Sequence, residues 1–293
     1  MLADLFAEFV PVLRQGLVDL LALTSLREDD PNTADATHEA LRNSAPAPGV
    51  EPTKKHAHAW NVCVPQAIAE RPVMKIGIIG AGNIGGNLTR RLTALGHEVA
   101  VANSRGPHTL TELAAETGAT PVEATQAARG AEVVVVTVPL KAVPDLPPNL
   151  LEGAAEGVAV IDTNNYYPRQ RDGRIAEIED DGLTESRWTE RHLGHPVIKA
   201  FNGTYAEDIL DRPRPAGAPD RMALPVAGDD EAAKAKVRAL IDELGFDTVD
   251  AGGIDDSWRQ QPDTPVYGLR AGAAEVTEAL AKASRERTPD FRG

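Results

Sequence analysis

Lys75-Ile-Gly-Ile-Ile-Gly80-Ala-Gly82-Asn83-Ile84-Gly85 is the stretch that decides the fold. Its short apolar run enters a glycine cluster, the pattern of a buried parallel strand. The residues from 83 to 95 then read as a helix, which puts the three glycines in a strand-to-helix turn. G-x-G-x-x-G alone is a weak signal, and this flanking context is what gives it meaning. Gly80 permits the tight turn, Gly82 lets a pyrophosphate approach the backbone, and Gly85 lets helix and strand pack closely. The helix start at Asn83 and Ile84 offers unpaired N–H groups and a partial positive charge to an anion.

Working outward, strands are predicted over 98–102, 133–138, 158–162 and 197–200, with a helix over 109–116. Strands and helices alternating in this way form βαβ units, so the fold class is α/β with a doubly wound parallel Rossmann sheet. A small C-terminal α/β region follows. Its strand over 222–227 leads to the N-cap pair Asp229-Asp230, then to Ala233, Val237, Leu240, Ile241 and Leu244 on one helical face, with Gly245 as the stop. Another strand is expected over 246–250, and Leu269, Ala273, Val276 and Leu280 read as a last helix. The expected organisation is an N-terminal extension over 1–73, a nucleotide-binding domain over 74–202 and a substrate or partner region over 203–293.

The extension differs from the rest. Leu2, Leu5, Phe6, Phe9, Leu13, Leu17, Leu20 and Leu21 recur at helical spacing, interrupted by Pro11. Residues 28–58 are polar and proline-punctuated and are expected to be a linker. Acidic Asp4 and Glu8 with no basic start argue against a secretory signal. His56, His58 and Cys63 are chemically competent metal ligands, but no fourth ligand stands at a recognisable spacing, so no metal site is assigned. Met74 directly precedes the first sheet strand, which raises the expectation that it is the natural start and that the leader is translated upstream sequence.

The whole chain has 293 residues, 44 acidic and 30 basic, a net charge of −14 and a single cysteine. Such a balance argues against a general nucleic-acid binder or an anionic membrane surface. No apolar run approaches the ~20 residues of a membrane helix. A lone cysteine forms no internal disulfide, so Cys63 either points to a reducing compartment, in line with the cytoplasmic setting expected, or says nothing. Any phosphate must therefore be held by a local device.

The residue about 20 positions beyond the glycine loop separates NAD from NADP, because an acid there bonds the ribose hydroxyls. Here it is Asn103, followed by Ser104 and Arg105. A neutral amide does not repel a 2′-phosphate, a hydroxyl can donate to it and a guanidinium can pair with it, so NADP(H) is expected. Further on, Thr137-Val138-Pro139-Leu-Lys141 and Asp162-Thr-Asn164-Asn165 lie where strands end and open sheets bind ligands. Pro139 could pack against a nicotinamide. Lys141 is a catalytic, phosphate-binding or merely solvated lysine. The Asn side chains hold a carboxamide or close an Asx-turn.

On these residues the chain from Met74 to about residue 250 resembles the NADP oxidoreductase, coenzyme F420-dependent family. That family includes deazaflavin-dependent NADP reductases and is similar to the cytoplasmic reductase domain of membrane ferric reductases. The matching motifs are Ile78-Ile-Gly-Ala-Gly-Asn-Ile-Gly85, Asn103-Ser-Arg105, Val135-Val-Thr-Val-Pro139, Asp162-Thr-Asn164 and Lys199-Ala-Phe-Asn202. The resemblance implies that Ser104 and Arg105 hold the 2′-phosphate, that Val138 and Pro139 border the nicotinamide, and that Ala200, Phe201 and Asn202 line the pocket of the second redox partner. It also departs from the family. After Asp250-Ala-Gly252 the family's small-residue turn and apolar helix are replaced by Gly253-Ile-Asp-Asp-Ser-Trp258-Arg259-Gln-Gln-Pro-Asp-Thr-Pro-Val-Tyr267.

The leading expectation is hydride exchange between NADP(H) and coenzyme F420, another deazaflavin or a flavin. Trp258 and Arg259 either contact that partner or pack. No catalytic side chain is assigned, since the cofactors carry the chemistry. No Tyr-x-x-x-Lys pair is present: Gln170, Arg171, Ile209 and Ala271 follow the four tyrosines. A second reading is reduction of a small imine or carbonyl compound, with His195 or Tyr205 as proton donor. A third is a non-catalytic NADP(H)-binding sensor. The expected partner is a small redox molecule, with no nucleic acid and no membrane, and a homodimer is the candidate assembly.

Overall fold

The computed structural model describes residues 72–293. The helical pattern over 2–21, the linker over 28–58 and His56, His58 and Cys63 lie outside the described residues.

Strand β1 (Lys75–Ile79) buries Ile76, Ile78 and Ile79 because helices cover both of its faces. Helix α1 (Asn83–Ala94) returns along the sheet and buries Leu88 and Leu92. Strand β2 (Glu98–Ala102) follows, then a 3₁₀ turn (Pro107–Leu110) and α2 (Thr111–Thr117), ended by Gly118 in the left-handed conformation. Next come β3 (Thr120–Pro121), α3 (Ala124–Ala127), β4 (Val133–Val136) and β5 (Ala159–Asp162). Helices α4 (Ala176–Glu179) and α5 (Glu185–Leu193) precede β6 (Ile198–Lys199).

All six strands run parallel in the order β3-β2-β1-β4-β5-β6. This is the doubly wound order expected from the alternation, and it reverses between β1 and β4. Ligands bind in the crevice outside the carboxyl ends of the strands at that reversal.

Beyond α6 (Asp208–Asp211), β7 (Ala223–Val226), α7 (Glu231–Leu244) and β8 (Asp247–Asp250) form a second βαβ unit with a two-stranded parallel sheet. The expected face of α7 is buried, and Asp230 Oδ1 accepts the N–H groups of Ala232 and Ala233 at 2.9 and 3.0 Å. An antiparallel bridge between Lys199 and Ala227 joins this unit to β6. One hydrophobic core runs from Leu88 and Ile78 through Ile161 to Val237 and Leu244. Helix α8 (Ala273–Ala281) packs Val276 and Leu280 over the small sheet.

Several boundaries differ from the sequence expectations, each for a local reason. Strand β4 ends at Val136 because the Val138 N–H turns away to a side chain, the Oδ1 of Asn164. Leu269 stays outside α8, which starts only after Gly272, while Gly268 takes a positive φ of 73°. The edge strand β3 went unpredicted, since two residues carry no periodicity.

Candidate functional site

The glycine loop has two closed positions and one open one. A Cβ on Gly80 would stand 2.1 Å from the Thr137 carbonyl oxygen, and one on Gly85 would stand 1.9 Å from the Gly80 carbonyl oxygen. At Gly82 a Cβ would meet nothing within 4 Å. The protein therefore needs glycine at 80 and 85 for its own packing, whereas position 82 faces free space that a ligand can enter. Gly82 is the N-cap of α1, no side chain caps that end, and no acid occupies the first turn. The N–H groups of Asn83, Ile84 and Gly85 stay available, which suits a pyrophosphate.

At the end of β2, the Asn103 side chain is occupied by its own turn. Its Oδ1 accepts the Arg105 N–H at 3.0 Å and its Nδ2 donates to the Thr109 hydroxyl at 2.9 Å. Asn103 thus shapes the loop that presents Ser104 and Arg105, both exposed. No salt bridge engages Arg105 among the described residues, so its guanidinium is available to a phosphate.

Across the reversal point stands Asn164, just past the carboxyl end of β5. Its Oδ1 accepts the Val138 N–H at 2.9 Å, which fixes the orientation of the amide, since only the oxygen can accept. The Asn164 side chain is 3% exposed and its Nδ2 has no partner among the described residues. A buried amide donor left in this way suits a carbonyl acceptor such as a carboxamide. The Asx-turn is made one step earlier, by Asp162 Oδ1 accepting the Asn164 N–H at 3.0 Å. Pro139 precedes a 3₁₀ segment, Leu140–Asp145, and Lys141 there is exposed.

Behind Asn164 lies a buried charge cluster. Lys199 Nζ donates to the Asn164 carbonyl oxygen at 2.9 Å, and it lies 3.5 Å from Glu185 Oε2 and 4.0 Å from Asp162 Oδ2. Ser186 Oγ donates to Asp162 Oδ2 at 2.6 Å, and Arg287 Nη2 reaches Glu185 Oε1 at 3.3 Å. Burial pushes both carboxyls up, and Lys199 pulls them back down. A lysine inside the otherwise apolar run Val197-Ile-Lys-Ala200 was the sequence signal for this cluster, because a buried ammonium requires partners.

Ala200, Phe201 and Asn202 are all buried. Phe201 adopts a positive φ of 63°, a strained conformation for a bulky residue, and so turns the chain sharply after β6. The turn aims Asn202 inward, where its Nδ2 donates to the Gln260 carbonyl at 2.7 Å and to Asn165 Oδ1 at 3.1 Å. Asn165 Nδ2 returns a bond to the Asn202 carbonyl at 2.8 Å, and Gln260 Nε2 donates to Asn202 Oδ1 at 3.0 Å. These side chains form one closed hydrogen-bonded network. Sequence reasoning placed Asn165 in the polar cluster after β5 and missed Gln260 and Glu185, which find partners at Asn202 and Arg287, distant in the chain.

Trp258 is placed elsewhere. It lines a depression with Leu183, Thr184, Gln261 and Arg285, and the guanidiniums of Arg259 and Arg285 lie over its ring at 4.6 and 4.9 Å. That leaves less of the ring for a stacking ligand. His195 is exposed just before β6, at the amino end of that strand and away from the crevice. Tyr205 is 49% exposed, with the Arg270 guanidinium 4.6 Å above its ring. Among the described residues no group of three or more His, Cys, Asp or Glu is placed to hold a metal ion. Nor is any helix there long and apolar enough to cross a membrane.

The family model described as NADP oxidoreductase coenzyme F420-dependent matches residues 75–166. Protein YjhV of Escherichia coli K12 is 42% identical over 78 residues, which are 26% of this chain and 57% of that protein, so the chain matches little more than half of this curated relative. The hypothetical protein SMa0349 of Sinorhizobium meliloti is 29% identical, with a TM-score of 0.58, over 68% of this chain and 95% of that one. A candidate F420-dependent NADP-reductase from Arthrobacter sp. FB24 is 27% identical, with a TM-score of 0.50, over 62% of this chain and 86% of that one. Residues 75–166, which carry the glycine loop, the Ser104-Arg105 loop and Asn164, are thus the part of the chain that is similar to the NADP oxidoreductase, coenzyme F420-dependent family.

Proposed function

We propose that this protein is an NADP-dependent oxidoreductase that exchanges hydride with a deazaflavin or flavin-type partner in the cytoplasm. The observation that carries this reading is the crevice itself: an open Gly82 at an uncapped helix start, with an exposed, unpaired Arg105 on one side and the free Nδ2 of Asn164 on the other. In this reading residues 74–202 bind the cofactor and residues 203–293 form the side of the second substrate. NADPH, when bound, supplies the hydride. The chain's own task is then positioning. The α1 N-terminus and Gly80, Gly82 and Gly85 receive the pyrophosphate, Ser104 and Arg105 the 2′-phosphate, and Val138, Pro139 and Asn164 the nicotinamide. The floor of Asn165, Asn202 and Gln260 keeps the second ring at a fixed depth.

Support comes also from the family match over this segment and from the likeness to the Arthrobacter protein, whose name specifies F420-dependent NADP reduction. The test is a spectrophotometric acceptor screen with NADPH on the full chain. Steady NADPH-linked reduction of a deazaflavin or flavin is expected. Tight NADPH binding without turnover on any deazaflavin, flavin, imine or carbonyl acceptor would instead make the protein a sensor.

A further inference from the structure

The segment over 253–267, where the chain leaves the pattern of the family it resembles, comes back to the crevice at its last residue. The Tyr267 hydroxyl is hydrogen-bonded to the Tyr167 hydroxyl, a partner 100 positions away in sequence. Asn165, just past the carboxyl end of β5, donates its Nδ2 to the Tyr267 oxygen at 3.4 Å, so the pair is tied to the floor of the proposed second-substrate pocket. Arg171 stands over the Tyr167 ring at 5.0 Å and is held by Asp172 at 2.8 Å and by the Asn165 carbonyl. Both tyrosines are only partly buried.

The proton count of this pair singles it out. Two phenols carry two O–H protons, and the bond between them uses one. The other O–H has no acceptor among the described residues. Burial raises both phenols above the usual tyrosine range, so the pair stays fully protonated at neutral pH. The pair is thus a fixed donor with one proton to give, at the strand ends where ligands bind.

We propose that Tyr167 and Tyr267 are catalytic residues that donate a proton to the second substrate. That substrate is an acceptor whose electrophilic carbon is conjugated to a nitrogen or oxygen. The inference rests on the oxidoreductase reading above and deepens it. The acceptor carbon gains hydride from the nicotinamide, and the electron pair of its π bond moves to the heteroatom. The phenol O–H bond breaks as a new bond to that heteroatom forms. The resulting phenolate is reprotonated from solvent through its partner phenol, and the acceptor has gained two hydrogens for one NADPH oxidised. In the reverse direction the same pair accepts the proton.

The test uses the full chain with NADPH and two probes, 5-deazariboflavin and the cyclic imine 1-pyrroline, which separate a ring acceptor from a simple C=N acceptor. With whichever probe the wild type reduces, Tyr267→Phe should lower kcat about 100-fold and abolish the solvent deuterium isotope effect. Its NADPH affinity, read by fluorescence titration, should stay within about twofold of the wild type, because ground-state binding is untouched. Tyr167→Phe should lower kcat by a comparable factor, because either phenol of the pair can carry the free proton. An unchanged kcat and isotope effect in Tyr267→Phe overturns the proton-donor assignment and leaves the oxidoreductase reading standing. Loss of NADPH binding in that variant marks a structural role and also overturns the assignment. A wild type that binds NADPH yet reduces neither these probes nor any other deazaflavin, flavin, imine or carbonyl acceptor overturns both readings.

Discussion

The two sides of the crevice are built on different principles. On the side of β1, α1 and β2 the ligand-facing groups are backbone N–H groups and one exposed guanidinium, all supplied by residues 80–105. The side of β5 and β6 is built instead of side chains locked to one another across the chain: Asn165 with Tyr267 over 102 positions, Asn202 with Gln260 over 58 and, buried behind them, Lys199 with Glu185 over 14. The first side depends on what is missing, a Cβ or an acid. The second depends on what is paired. Perturbing the first should change binding while leaving the fold intact wherever space is open, and perturbing the second should unfold before it changes binding.

The largest effect is expected at Lys199. Lys199→Met removes the ammonium that opposes two buried carboxylates, and breaking such a cluster costs about 3–5 kcal/mol in denaturant unfolding. The deficit should shrink as pH falls. Burial already raises the Asp162 and Glu185 carboxyls, and a raised carboxyl contributes stability below its unfolded value and loses it as pH rises through its folded one. A deficit independent of pH would mean that the cluster is not held by charge.

Two alanine substitutions in the glycine loop sharpen the comparison next. Gly85→Ala places a Cβ 1.9 Å from the Gly80 carbonyl oxygen, a clash with backbone that cannot give way, so about 3 kcal/mol of stability should be lost along with nucleotide binding. Gly82→Ala meets nothing within 4 Å, so its melting temperature should match the wild type while NADPH affinity falls roughly tenfold as the methyl group occupies the pyrophosphate's approach. Equal destabilisation by the two would show that position 82 serves packing rather than a ligand.

The same contrast explains what was legible in the sequence. The strand order, the glycine loop, the helix face of α7 and the Ser104-Arg105 loop follow from contiguous patterns, because a parallel strand and a helix N-terminus are local objects. Asn164 was visible as a residue, but its working geometry was not, since its oxygen is committed to Val138 and its nitrogen left free only by the register of β4 against β5. Gln260 and Tyr267 lie in a segment with no periodicity; Gln260 meets Asn202 through the turn at Phe201, and Tyr267 meets Tyr167 100 positions away. Trp258 drew attention as an aromatic in an unusual segment, and no sequence pattern could reveal that Arg259 and Arg285 cover it.

The central claim is that an acidic chain holds NADP through a helix N-terminus and one arginine. Calorimetric titration of NADPH and NADH into the wild type and Arg105→Ala tests it most directly. A charge-assisted contact of about 1.5–3 kcal/mol predicts roughly 10- to 100-fold tighter NADPH than NADH binding in the wild type, abolished in the variant by weaker NADPH binding alone. Equal affinity for the two nucleotides, unchanged by Arg105→Ala, would contradict the account.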